Sequence, residues 1–297
     1  MVQELNAYEL KALNYELLLK DILTAAEKLP PFPDVAWKVL GLIRKMASVR
    51  EIEAVIKFDP TIAARVLSLS QSAYYQRLRK VTSLQEAIMV LGNQKLVEVV
   101  LAACAAHYFR GQISGYRLNE QALWRHSVAV AIMAEKLAQE FRKKKVLTAY
   151  TAGLLHDIGK TVLDLYAKIY LHVDLSQIRK GGVQFIEAER RALGIDHQEL
   201  GQIIARRWQF PLEVTVAIGN HHFPQKAKTD QDMAAIVHAA DRMVNAMEGE
   251  EGARDVLDPA SDPVFKAMGI DAQKVERFQA ELAEALEGIV TFLKNDA

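Results

Sequence analysis

Apolar residues recur at helical spacing along almost the whole chain, and the apolar-polar alternation that marks a strand is hard to find. The first segment already shows the helical spacing at Leu10, Leu13 and Leu17. It ends at the proline-rich segment Leu29–Pro33, because proline cannot continue a helix and restricts the residue before it. The sequence therefore predicts an all-α fold.

Capping and breaking residues place the ends of several helices. Asp59 is a predicted N-cap with Pro60 at the first helical position. Ser83 and Glu86 have the spacing of a capping box, and Gly92 breaks the apolar run that follows. The predicted helices cover residues 4–28, 34–43, 48–57, 60–72, 83–91, 93–109, 119–141, 145–156, 161–179, 184–193, 197–208, 211–221, 230–247 and 271–294.

Glycine-containing segments divide the chain. Residues 111–115 carry two glycines and a serine between two helical halves, and residues 249–252 form a second loop. The last helix has apolar residues at near-heptad spacing, which we interpret as packing on its own domain, with a dimer seam as the alternative. The predicted units are residues 1–112, 113–248 and 249–297.

The charge and the cysteine content limit which binding partners and which cellular compartment are expected. Lysine and arginine number 37, as do aspartate and glutamate, so no broad basic surface for nucleic acid or an acidic membrane is expected. The single cysteine, Cys104, cannot form an intrachain disulfide, and its apolar neighbours indicate a small buried hydrophobe. We find neither a signal peptide nor an apolar run of about 18 residues, and we expect a cytoplasmic protein without a membrane span.

The segment 151–160 ends an apolar run in His156 and Asp157, side by side. A buried imidazole next to a buried carboxylate needs a metal, a hydrogen-bond donor or the other member of the pair as its partner. Lys160 lies three residues after Asp157 and shares its helical face if the helix continues. It could hold a phosphate oxygen or a bridging hydroxide, or it could be a solvated lysine at a helix end.

Further histidines occur at helix ends or on apolar faces. His126 lies in a helix of small apolar residues and by itself could be a core histidine. His197 begins a predicted helix, where it is either a ligand or a helix-start residue. His221 and His222 are adjacent, so both can reach one site only where a helix ends, as Pro224 suggests.

Asp241 lies on a mostly apolar helical face, and a buried unpaired carboxylate is costly. His238, three residues earlier, could be its partner or a spare ligand. Imidazoles and carboxylates without thiolates suit iron, manganese, zinc or nickel, and two ions bridged by Asp157 would use this set better than one ion. The predicted ligands are His126, His156, Asp157, His197, His221, His222 and Asp241.

These residues resemble known patterns. His126, His156-Asp157 and Asp241 resemble the H…HD…D pattern of the HD-domain metal-dependent phosphohydrolases, and the remaining histidines resemble the binuclear layout of the HD-GYP cyclic-di-GMP phosphodiesterases. The bacterial HDOD signalling family is closer still, and the similarity covers residues 22–245. Its N-terminal marks are Leu29–Pro33, Asp59-Pro60, Arg65–Leu67, Ser72–Tyr75, Leu84, Ala87-Ile88 and Leu91-Gly92.

The resemblance implies a helical N-terminal subdomain packed on an HD-type helical bundle. It also implies that one metal is held by His126, His156, Asp157 and Asp241. By the same resemblance a second metal is held by Asp157, His197, His221 and His222.

Two departures bear on the substrate. Phe223-Pro224-Gln225 follows the histidine pair in place of the HHE…GYP signature, which argues against cyclic-di-GMP. Ala122 stands where some of those enzymes carry a glutamate for a third metal, so two ions are expected.

The sequence leaves two functions open. The first is a bacterial HDOD signal-transduction protein that acts as a phosphohydrolase or phosphodiesterase, with Asp157 and Lys160 as catalytic residues and two divalent or mixed-valence ions, iron or manganese being favoured. The alternative is a non-catalytic signalling or scaffold module that binds a protein or nucleotide. Expected partners are a phosphorylated or nucleotide ligand and signalling proteins, without membrane or nucleic acid.

Overall fold

The structure is a computed structural model that describes residues 7–71, 81–109, 116, 121–142, 145–167, 185–248 and 257–294. Within these residues the chain forms helices, turns and loops and contains no strand. The prediction of an all-α fold is confirmed. The segments around the predicted boundaries, 110–115 and 249–256, lie outside the described residues, and so do Ser72–Tyr75, so the division into three units stays a prediction.

The N-terminal part begins its helices where the capping signals predict. The Asp59 side chain accepts a hydrogen bond from the Ile62 backbone N–H at 3.1 Å, and Ser83 accepts one from Glu86 at 3.2 Å. Each cap satisfies a backbone donor that the first helical turn leaves free. The helices are α1 (Ala7–Lys28), α2 (Asp34–Arg44), α3 (Val49–Ile56), α4 (Pro60–Ser70) and α5 (Leu84–Ala106).

The helix α5 runs through the core. Gly92, at φ 70°, kinks it, so the two helices predicted from the sequence form one kinked element. By length and composition the stretch Leu84–Phe109 could cross a membrane, but 67% of its most apolar window is buried inside the fold. Its contacts with α2, α3 and α4 account for this apolar character, as expected of a core helix.

The second part is a bundle followed by two C-terminal helices. Its helices are α6 (Ala122–Phe141), α7 (Val146–Leu155), α8 (Ile158–Tyr166), α9 (Phe185–Leu193), α10 (His197–Arg207), α11 (Leu212–Asn220), α12 (Gln231–Glu248), α13 (Pro263–Met268) and α14 (Ala272–Lys294). The sequence analysis missed α13, although Asp262 caps it and Pro263 occupies its first position. The predicted helix 161–179 begins earlier, at Ile158, and its second half lies outside the described residues.

The proline-rich segment joins the two parts. The Trp208 indole N–H donates to the Pro30 carbonyl at 3.0 Å, and the Tyr108 hydroxyl donates to the Pro31 carbonyl at 2.8 Å. Phe32 is buried between these rings, with centroids 5.5 Å from Trp208 and 6.2 Å from Tyr108. The N-terminal part is therefore packed on the bundle through an aromatic cluster, as the resemblance implies.

The helix α14 packs against its own chain. Val275, Phe278 and Leu282 are buried, and the helix contacts both α6 and α4. This is the packing that the sequence analysis favoured for its apolar stripe. A dimer through this helix stays a prediction.

Two glycines allow the helices around the His-Asp pair to approach closely. A Cβ on Gly153 of α7 would lie 2.9 Å from the Ala131 Cα of α6. A Cβ on Gly159 of α8 would lie 2.1 Å from the His197 carbonyl oxygen of α10. His156 and Asp157 therefore lie where four helices converge, because Gly153 and Gly159 lack a side chain.

Gly159→Ala is expected to destabilise the protein by about 1–3 kcal/mol, the range for forcing an atom into a packed interior. Gly41→Ala is the matched control, since Gly41 lies within α2 and a Cβ there meets nothing within 4 Å. The control should stabilise the helix by up to about 1 kcal/mol. Urea unfolding midpoints measure both, and equal midpoints would contradict a tight α8–α10 contact.

A second polar cluster lies away from the His-Asp pair, between α5 and α6. The Gln94 amide donates to both Glu98 (3.2 Å) and Glu135 (2.9 Å), and the Lys95 ammonium contacts Glu98. Both carboxylates are at most 6% exposed. Burial raises the pKa of Glu98 to about 7, with Lys95 opposing and Glu135 adding to the rise.

This pKa predicts a loss of stability as the pH rises from about 5 to 7. Glu98 loses its proton near its ordinary value of 4.5 when unfolded but near 7 when folded, so its contribution is present below 4.5 and lost above 7. The slope should be at most about 1.4 kcal/mol per pH unit. Glu98→Gln should flatten it, whereas Glu276→Gln at an exposed site of α14 should not. Urea unfolding at several pH values tests this, and an unchanged slope in Glu98→Gln contradicts it.

Candidate metal centre

The His156-Asp157 pair forms the turn between α7 and α8. His156 is 0% exposed and Asp157 is 1% exposed. Asp157 occupies the N-cap position of α8, but its side chain makes no capping hydrogen bond. Its carboxylate is therefore free to face the interior of the bundle.

The two carboxylate oxygens of Asp157 face two different sets of imidazoles. Oδ2 lies 3.4 Å from His156 Nε2 and 3.9 Å from His126 Nε2. Oδ1 lies 3.4 Å from His197 Nε2 and 3.9 Å from His221 Nε2. This carboxylate lies between two candidate ligand groups, as a bridging ligand would.

The first ligand group joins α6, the His-Asp turn and α12. The Asp241 Oδ1 lies 3.1 Å from His126 Nε2 and 3.6 Å from His156 Nε2. The Asn245 amide, one turn later on α12, donates to the same oxygen at 2.8 Å and so fixes the carboxylate. His126, His156 and Asp157 together could hold a metal ion, and Asp241 is within reach of both imidazoles.

The second ligand group joins α10 with the end of α11. His197 Nε2 lies 3.4 Å from His221 Nε2 and 3.0 Å from His222 Nε2. The helix α11 ends at Asn220, which lets the adjacent His221 and His222 turn toward the same point. These three imidazoles could also hold a metal ion.

The other ring nitrogen of four histidines is held by an acceptor. His156 Nδ1 donates to the Gly153 carbonyl and His221 Nδ1 to the Ile218 carbonyl, each at 2.8 Å. His126 Nδ1 lies 2.8 Å from Glu248 Oε2, and His197 Nδ1 lies 2.7 and 2.9 Å from the two oxygens of Glu189. These bonds fix each ring so that its Nε2 faces the centre, which is typical of metal-binding histidines.

Glu189 is the main residue that the sequence analysis missed. It is 0% exposed, accepts a hydrogen bond from the His197 backbone N–H at 2.9 Å and accepts another from the Tyr116 hydroxyl at 2.6 Å. The sequence does contain an indication of its burial. Ile186, Glu189 and Leu193 share one helical face, so the glutamate lies on the apolar side of α9. Glu248 gave no comparable signal, because its contact depends on how α12 crosses α6.

His238 is not part of the centre. Its Nδ1 lies 2.8 Å from the His221 carbonyl oxygen and its Nε2 lies 3.2 Å from Asp262 Oδ2. It supports the backbone of His221 from outside. It is therefore neither the partner of Asp241 nor a spare ligand.

Lys160 is bonded to the centre. Its ammonium donates to Asp157 Oδ2 at 2.5 Å and lies 5.9 Å from the centroid of the Tyr116 ring. Its side chain is 19% exposed, so the structure does not show the freely solvated lysine of the sequence alternative. The ammonium charge lies on the side of Asp157 that faces the first ligand group.

The pKa values differ between the two groups. Burial and the neighbouring imidazoles hold the pKa of His221 well below its usual range and lower that of His222 to about 3. Burial acts to lower the pKa of His126, but Asp241 and Glu248 raise it to about 10. His221 and His222 therefore offer neutral rings with free lone pairs, while a metal ion in the first group would replace a proton on His126.

Two buried polar atoms show whether the chemistry of these residues is compatible with metal binding. His156 Nε2 and Asp157 Oδ1 are buried and make no hydrogen bond, because their contacts of 3.4 Å or more are too long or poorly aligned. Unpaired buried polar atoms are costly. An ion coordinated by imidazole and carboxylate would satisfy both atoms, so the residues fit metal binding. All seven predicted ligands lie in this one cluster.

A cavity of about 500 Å³ lies beside the first ligand group. His126, Asp157 and Lys160 line it, together with residues of α12 and α14. Ala122 lines it as well, and its methyl group offers no ligand for a third ion. The volume lies in the range of small-molecule binding sites.

The HDOD domain family matches residues 29–224 of the chain. The crystal structure of an HDOD domain protein of unknown function from Geobacter sulfurreducens is 22% identical, with a TM-score of 0.71 over 96% of this chain and 97% of that one. A Shewanella amazonensis structure, provisionally named a phosphohydrolase, is 21% identical, with a TM-score of 0.68 over 93% and 97%. At these identities the two structures show the fold alone.

Ribonuclease Y of Thermus thermophilus is 35% identical over 165 residues, which are 56% of this chain and 22% of that protein. The chain spans less than half the length of the first curated relatives that it matches. The similarity is therefore to a part of those proteins.

Glu189→Gln is expected to weaken metal binding at the His197 group by about 10- to 100-fold, because the neutral amide holds the ring less firmly and leaves it less basic. Chelator competition with metal analysis measures this without any turnover. Glu187→Gln is the control, since that side chain is 57% exposed and bonded to Arg191. Equal metal affinity in the two variants would reject the role of Glu189.

Proposed function

Because the chain belongs to the HDOD domain family, we propose that it is a bacterial signalling protein with a two-metal centre that hydrolyses phosphoester bonds. One observation carries the proposal: each oxygen of the buried Asp157 faces a different group of imidazoles. Such a carboxylate is suited to bridge two ions a few ångströms apart. We propose that the protein is cytoplasmic. The balanced charge supports the further proposal that it has no membrane or nucleic-acid partner.

In this proposal each ion has its own ligands. His126, His156 and Asp241 would hold one ion with Asp157 Oδ2, and the second ion would be held through Asp157 Oδ1 by His197, His221 and His222. Iron or manganese is favoured, in a divalent or mixed-valence pair, with zinc or nickel as alternatives. When bound, the ions would neutralise phosphoryl charge and lower the pKa of a water molecule.

The chain's own groups would position the substrate. The cavity admits it on the His126 side, where the Lys160 ammonium is placed to donate a hydrogen bond to a phosphoryl oxygen while it keeps its contact with Asp157. The Asn245 amide keeps Asp241 oriented, and the buried Glu189 does the same for His197. These two ligands are thus held in place before substrate binds, which lowers the cost of assembling the site.

The similarity to ribonuclease Y favours a phosphodiester over a monoester, because RNA is a chain of phosphodiesters. We propose a small nucleotide or another phosphorylated ligand as the substrate, with a signalling protein as partner. A non-catalytic signalling module is the second candidate. The replacement of the HHE…GYP signature by Phe223-Pro224-Gln225 favours it.

Asp157→Asn is expected to reduce bound metal from two ions to one or none and to lower hydrolysis by at least about 10³-fold, since both ions lose a charged ligand. Metal analysis and a panel of mono- and diesters, cyclic dinucleotides and a short RNA measure the two effects. His107→Ala is the control, because His107 is exposed and lies outside the centre.

The outcomes separate the candidates. Absence of bound metal in the wild type at every loading would reject the metal centre. Two bound ions without turnover of any ester would select the signalling module.

A further inference from the structure

The cavity beside the metal centre is wider than one phosphoryl group requires. Its volume of about 500 Å³ extends from His126 and Asp157 along the start of α6 to Leu286 of α14. A group bound at the ions would fill only its end next to Asp157. The rest of the cavity offers space for another part of the substrate.

One charged side chain in the lining of the cavity lacks a partner among the residues that the structure describes. Asp157 is bonded to Lys160, and Glu248 is bonded to His126, so both carboxylates already have partners. Arg125 lines the same cavity and is exposed, and its guanidinium is in no hydrogen bond or ion pair with any part of the chain that the structure describes. Within the described residues, its guanidinium is therefore the charged group of the lining that remains available to a ligand.

The Arg125 side chain leaves α6 in a different direction from that of His126. Arg125 and His126 are neighbours on α6, so their side chains leave the helix about 100° apart. Both residues nevertheless line the cavity, so Arg125 belongs to a different part of its wall from the His126 imidazole. Ala122 and Leu123, at the positive end of the helix dipole, lie along the same wall.

We propose that Arg125 binds a second phosphate of the substrate, one that is not cleaved. This rests on the proposed function and names its substrate class: a phosphodiester that carries an additional phosphate, such as a 5′-phosphorylated dinucleotide. Guanidinium groups bind phosphate through two parallel hydrogen bonds. With one phosphate held by Arg125, the distance from Arg125 to the metal centre would set the distance between the anchored and the scissile phosphate. The apolar side chains of Leu123 and Leu286 provide a wall for the remainder of the ligand.

The test compares the dinucleotides pApA and ApA, which differ only in the 5′-phosphate. Calorimetry on protein treated with a chelator measures binding without hydrolysis, and the wild type should prefer pApA. Arg125→Ala should weaken pApA binding by about 10-fold and leave ApA unchanged, because only the former loses a charged hydrogen-bonded pair. Arg125→Lys should restore part of the preference. Arg50→Ala, at an exposed arginine of α3, removes the same charge away from the cavity and should leave both affinities unchanged.

Three results would overturn the proposal: equal or undetectable binding of the two dinucleotides by the wild type, equal loss of both in Arg125→Ala, or an unchanged preference in that variant. Failure of the proposed function looks different, because metal-loaded wild type would then leave every ester intact while calorimetry still shows the preference for pApA. In the active protein, Arg125→Ala should raise the KM for pApA by about 10-fold with less than a twofold change in kcat, as expected for a group that binds ground and transition state alike.

Discussion

The buried carboxylate of Asp157 is the constraint on which the rest of the site depends. A carboxylate that is 1% exposed needs partners, and this one has an ammonium and two imidazoles on one side and two more imidazoles on the other. Burial acts to raise its pKa, but His156 and Lys160 hold that pKa well below its usual range. The surrounding helices therefore have to deliver positive or polar groups to both of its oxygens.

The helices bring these groups to Asp157 because they approach one another closely. Gly153 and Gly159 let α6 and α10 come near the turn that carries the pair, and these are the helices that bring His126 and His197. The N-terminal part contributes no ligand within the described residues. Its role is packing: the Leu29–Pro33 segment fixes Trp208 at the end of α10, one element of the second ligand group.

The sequence predicts the helices and the ligands that lie at helix ends. It does not predict the contacts that form where two helices cross. The helical spacing predicts most elements, and helix ends identify His197, His221 and His222, because these positions are set by residues close in sequence. The contacts of Glu189 with His197 and of Glu248 with His126 depend on side chains that meet between different helices. The placement of His238 against the His221 carbonyl, rather than against Asp241, has the same cause.

The site has a buried part inside the core and a part that faces the cavity. His197 and His221 are at most 1% exposed and lie behind Asp157, whereas His126 lines the cavity. Among the described residues, the cavity gives a ligand access from the His126 side, along walls formed by the start of α6, the end of α12 and α14. Substitutions in the core would alter metal affinity, while substitutions along these walls would alter which ligand enters. A complete set of ligand residues can thus coexist with a changed substrate, because different elements of the fold determine the two properties.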